Sequence, residues 1–223
     1  MLNKKMMSSA VLLGMMSLGF VGQTFAAEGD TQTIEGIKGQ SSADVITRGN
    51  LGEIDPTDPE TPLPEGDDRW IKVTLPTTVI FESVDQENIT SPKNYVIQNE
   101  SGRPVKVDVT SYDITGGNGV PALTQLNIER SAGYMGNQVV NLVPSKAEVK
   151  KYDINKEFVR LANNQGNFGD VKDGTAASAT NFEFTGTMNK DDLAEKQNYV
   201  ESKLTFKFTA LRMDGKTVDE SKK

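Results

Sequence analysis

Val105, Val107 and Val109 alternate with Lys106, Asp108 and Thr110, and this period of two constrains the chain more than any other feature. Successive side chains of a strand point to opposite faces, so apolar residues at every second position line one buried face. The alternation recurs at Ile71, Val73 and Leu75, resumes after Pro76 at Val79 and Phe81, and returns at Tyr95 and Ile97. Leu126 and Ile128, Val140 and Leu142, Tyr152 and Ile154, and Phe182 and Phe184 repeat it in shorter runs. Leu204, Phe206 and Phe208 close the series, and only Lys190 to Asn198 reads as helical.

About eight short strands between turns rich in Gly, Asn and Pro predict an all-β fold. The expected architecture is an antiparallel β-sandwich with one short helix and an extended N-terminal segment. Strands of a parallel sheet are buried on both faces and read as unbroken apolar runs, which this chain lacks. The sandwich is expected over residues 70–212, with Val105, Val107 and Val109 and Leu204, Phe206 and Phe208 facing inward. Asn99–Pro104 reads as a connection, and Gly116–Gly119 and Gln165–Asn167 read as loop tips. Residues 213–223 are expected to form a polar tail.

The chain has no His and no Cys. That removes Ser-His-Asp and Cys-His triads, thiolate nucleophiles and ordinary zinc sites. No Gly-rich phosphate loop sits between a strand and a helix. Carboxylates abound, but a sugar-cleaving cleft usually also offers aromatic platforms, and the chain has one Trp. No catalytic residue, metal site or cofactor is expected. Asp170–Gly174 resembles a fragment of a calcium loop without its alternating acids, and reads as a solvated turn. Trp70 reads as packing at the start of the first strand. The Gly-rich stretch holding Tyr134 and Met135 reads equally as a binding loop and as a plain connection.

Lys4 and Lys5 precede an apolar run from Ala10 to Gly22, and Thr24-Phe25-Ala26 offers small residues where a signal peptidase reads them. Residues 1–26 are therefore expected to be a cleaved export signal, the run being shorter than the ~20 residues of a membrane span. Cleavage removes two lysines and no acid, leaving 22 basic against 31 acidic side chains. Nucleic acid is a poor partner for that balance, because affinity for it comes from neutralising phosphates. The mature protein is expected outside the cell, with no membrane insertion. An exported chain without cysteine draws its stability from apolar burial and sheet hydrogen bonds rather than disulfides.

Residues 27–69 are expected to form a flexible N-terminal segment. Asp55 to Pro64 holds four prolines in ten residues, which predicts a stiff, extended spacer of about 30 Å at ~3.1 Å per residue. Composition alone leaves a disordered tail as an equal reading. Before it, Ala43, Val45, Ile46 and Thr47 lie in a short β-prone stretch, a candidate strand for donation to a sheet edge.

These features resemble the small exported surface proteins of Gram-positive bacteria related to WxL-domain proteins. The similarity lies in the signal, the stretch from Ala43 to Leu51, and the Asp55-Pro56-Thr57-Asp58-Pro59 spacer. It extends to Ile71–Pro76, to Tyr95–Ser101 and to Lys203–Thr209. A weaker similarity is to biofilm-fibre proteins of the TasA and camelysin type. The resemblance implies attachment to peptidoglycan, although the name-giving Trp-x-Leu is absent.

Two functions follow as expectations. In the first, the protein is a non-enzymatic structural subunit of the cell surface or matrix that joins itself or other surface proteins by strand addition. In the second, it is a monomeric adhesin-like module for a cell-wall polymer or a host ligand.

Overall fold

The computed structural model describes Glu35, Ile37, Gly39, Ser42 and residues 52–194 and 197–222. The expected export signal and the candidate strand Ala43–Thr47 lie outside the described residues.

Two antiparallel sheets pack face to face. The larger contains β1 (Val73–Thr74), β2 (Asn88–Ile89), β3 (Tyr95–Asn99), β5 (Leu123–Arg130), β6 (Val139–Val143) and β8 (Ala179–Met188). Its order is β1-β3-β8-β5-β6, with β2 also paired to β8. The smaller is β7-β4-β9, formed by Lys151–Leu161, Val105–Gly116 and Glu201–Ala210. Among the described residues, β5 and β6 are the only consecutive strands that pair with each other. The loops Asn99–Pro104, Gly116–Gly119 and Gln165–Asn167 thus carry the chain from one sheet to the other, because each sheet covers the apolar face of the other.

β4 is the central strand of the small sheet, and its period-two valines are fully buried. The register then slips: Val109 faces Phe206 on β9, yet Ser111 faces the very next residue, Thr205. Thr110 is the extra residue of a β-bulge, which reverses the parity of the strand. Tyr112 and Ile114 become the buried positions, and Ser111 and Asp113 turn to the outer face. Leu204, Phe206 and Phe208 pack against the core as expected but are only half-buried, because β9 is an edge strand.

One pole, where β4 starts and β9 ends, is closed. Here the Pro-rich stretch differs from the extended spacer that its composition predicts. It turns and docks, with Gly102 N donating to Pro56 O at 2.6 Å and Arg103 Nη1 to Pro59 O at 2.8 Å. Asn164 Nδ2 donates to Thr57 O at 2.7 Å. A Cβ on Gly102 would lie 2.8 Å from Pro59 N, so glycine permits this approach. Leu63 is buried against Trp70 and Ala210, a burial worth about 2 kcal/mol. Proline's missing N–H costs nothing here, since the segment is held through its carbonyls.

Three other expectations change. Lys190–Asp192 is a single 3-10 turn capped by the Asn189 side chain rather than the start of an α-helix. The first strand shrinks to Val73–Thr74, since Pro76 cannot donate to a ladder. The C-terminal residues return to the sandwich: Arg160, buried on β7, bonds Glu220 Oε1 through Nη2 at 2.8 Å and Gly215 O through Nη1 at 2.7 Å. This pairing holds the Glu220 carboxyl down at about 2.

Candidate functional site

The small sheet has three strands and faces a wider one, so one flank of the sandwich is not covered along β9. Residues 75–83 cross this flank without joining either ladder, apart from a bridge between Glu82 and Thr90. Between them and β9 lies an apolar seam. Its larger part, a cavity of about 590 Å³, sits at the open pole between Phe81, Ile89 and Leu123 on one side and Tyr199 to Ser202 on the other. A second hollow of about 300 Å³ continues toward Leu75, Phe182 and Phe206. The two share Val79, Phe81 and Ser202.

Aromatic side chains line the floor. Phe81 and Phe184 have ring centroids 5.8 Å apart, and Phe182 meets Phe206 edge-on at 6.1 Å. Polar residues, among them Glu82, Gln86 and Glu201, also line the seam, and two hydrogen bonds fix its walls. Ile80 N donates to the Tyr95 hydroxyl at 2.8 Å, and Tyr112 donates to Ser202 Oγ at 2.8 Å. Burial pushes the Tyr112 phenol up to about 12, so it stays a neutral donor at physiological pH. At the mouth, Gly119 N holds Tyr199 O at 2.9 Å, and the Tyr199 ring and Ile80 project into solvent at 58% and 63% exposure. The seam offers what an extended peptide needs, an unpaired strand edge beside apolar pockets.

Sequence reasoning placed the apolar floor residues on strands but did not see that they flank one seam. Leu75, Phe182 and Leu204 are far apart in the chain, and no local signal marks β9 as an edge.

The remaining candidates resolve into structural roles. Trp70 is buried, donating through Nε1 to Pro64 O at 2.8 Å with the Arg103 guanidinium 4.4 Å above its ring. Tyr134 stacks on Phe168 at 4.5 Å, while Met135 stands exposed beside it with φ of 49°. The Asp173 carboxylate accepts from the Thr175 hydroxyl at 2.6 Å within its own turn.

Sequence reasoning missed the buried charge of the closed pole. Glu65 lies under the surface with Arg212 Nε at 3.4 Å, and neither of its oxygens accepts a well-aligned hydrogen bond from the described residues. Burial pushes its carboxyl up, partly offset by Arg212 and Arg103.

Comparison with family models, curated proteins and solved structures finds no match for this chain.

Proposed function

We propose that the protein is a non-enzymatic, exported structural protein of the cell surface or matrix that assembles by β-strand addition. The observation that carries this reading is the β9 edge, paired on one side only, next to an apolar seam. The donor is the segment Ala43, Val45, Ile46 and Thr47, which stands five residues before the described chain resumes at Gly52. Its main chain pairs with β9 while Val45 or Ile46, on opposite faces of an extended strand, fills the seam. The partner is a second copy or another surface protein.

The test compares the mature protein with one lacking residues 27–51. The cut must fall before Gly52, because removing Leu63 and Glu65 would open the closed pole as well. Loss of oligomers by light scattering, with an unchanged melting temperature, marks donation to a neighbour. A lower melting temperature in a monomer marks pairing at home. A peptide spanning Gln40–Leu51 should restore the lost state and shift backbone amide resonances along Glu201–Phe208. If truncation changes neither assembly nor stability, the reading fails.

A further inference from the structure

The outer face of the three-stranded sheet carries a second feature, which meets the seam only at Lys203 on the edge strand β9. Two irregularities lie side by side there. Thr110 bulges out of β4 against β9, and on β7 Asn155 adopts a left-handed φ of 49° where the register slips from Val109–Lys156 to Ser111–Asp153. Bulges re-aim side chains and interrupt the flat pleat. The result is a depression of about 430 Å³ with Ser111 in its lining.

The groups around it converge from three strands. Cross-strand pairing places Asp113 between Lys151 on β7 and Lys203 on β9, and Ser111 between Asp153 and Thr205. Ser111 is 5% exposed. Among the described residues, its hydroxyl has no hydrogen-bond partner. Neither do the side chains of Asp113, Asn155, Lys203 and Thr205. A solvated face would explain the exposed groups. Ser111 differs from them: nearly all of the residue is covered, and its unpartnered hydroxyl opens into the depression, where a water or a ligand must supply its hydrogen bond.

We propose that this depression binds a neutral, polyhydroxylated ligand of the saccharide class. Two carboxylates and two ammonium groups line it, and Lys151 and Asp153 already pair at 3.0 Å, so no net field favours an anion or a cation. Each hydroxyl of a sugar both donates and accepts. The lining offers the matching set: acceptors on Asp113, donors on Lys203, and groups that do both on Ser111, Thr205 and Asn155. The volume falls in the range of small-molecule sites. No aromatic ring lines it, so binding rests on hydrogen bonds that compete with water and is expected in the millimolar range.

The test titrates cellotriose and chitotriose, up to 20 mM, into the isotope-labelled protein, with trigalacturonate as the charged counterpart. Saturable amide shifts centred on Ser111, Asp113, Asn155 and Thr205 with a neutral trisaccharide are expected. Asn155→Gly, which keeps the left-handed backbone, and Asp113→Asn should each weaken binding at least threefold without lowering the melting temperature. Ser111→Val should do the same, and Asn155→Gly, at an exposed position, keeps the test valid if Ser111→Val fails to fold. No saturable shifts, shifts confined to another surface, binding by trigalacturonate alone, or affinity indifferent to Asn155→Gly and Asp113→Asn would each overturn the proposal.

Discussion

The two poles of this sandwich are built from opposite materials. At the closed pole, the segments before β1 and after β9 fold over the core and bring buried polar groups with them. Asn99 Nδ2 donates to the carbonyls of Arg103 and Ala162 at 2.8 Å each, and Lys72 N donates to Ser101 Oγ at 2.8 Å. Leu63 and Trp70 seal the apolar part. At the open pole, Tyr199 and Ile80 stand out in solvent around a cavity. The contrast teaches that pairing the loop groups at the end of a sandwich is needed to cover it but does not suffice. Loop carbonyls and N–H groups must be satisfied before apolar residues can be buried beneath them. Both poles pair their loop groups, but only at the closed pole do flanking segments then bury Leu63 and Trp70 over the end, and at the open pole the floor stays available to a partner.

This contrast can be broken by mutation. The largest effect is expected from Val107→Asp in β4, the strand that runs between both poles. An unpaired charge in the core should unfold the domain, and circular dichroism should show no cooperative melt. A melting temperature equal to that of the parent would mean that β4 is not the central strand.

Trp70→Ala should cost about 3–5 kcal/mol in urea unfolding, through the cavity that it leaves at the closed pole. Tyr199→Ala at the open pole should stay within about 0.5 kcal/mol of the parent. Equal losses at the two sites would erase the distinction between a sealed and an open pole.

The buried charge of the closed pole sharpens the comparison through pH. Glu65 has a raised carboxyl in the folded state, so its protonated form is the stabilising one. That contribution is fully present below the ordinary carboxylate range and is lost as pH rises through the folded-state value. Glu65→Gln should therefore raise stability at pH 7 by about 1 kcal/mol and flatten the fall that accompanies ionisation of the carboxyl. Glu220 runs the other way. Its carboxyl is held at about 2, so its contribution is present above the ordinary range and is lost as pH falls toward 2. Because Glu220 is 44% exposed, solvent screens the pair, and Glu220→Gln should cost less than about 1 kcal/mol at pH 7.

The smallest effect on stability and the largest on assembly should coincide at the open pole. Ile80→Ser should leave the urea midpoint nearly unchanged, since an exposed side chain loses little on substitution. It should weaken oligomers measured by light scattering at least tenfold if the seam is where a strand is received. Unaltered assembly would move the interface elsewhere.

Much of this fold was legible in the sequence. Alternation at Val105–Val109 marked a half-buried strand, because side-chain direction in a strand is set by position alone. The absence of His and Cys narrowed the chemistry in the same direct way. The candidate sites were less legible. Ser111 and Asp113 look like ordinary polar positions until the Thr110 bulge turns them outward beside Lys203 and Asp153. The Pro-rich stretch could not announce that it docks, because its bonds run from carbonyls that every residue carries to Gly102, Arg103 and Asn164. Local pattern therefore determined which residues form strands and which face is apolar. Tertiary structure decided which sheet each strand joins, which edge stays unpaired and which polar groups converge. Those depend on generic backbone groups meeting partners far away in the chain, and no local residue pattern encodes that choice.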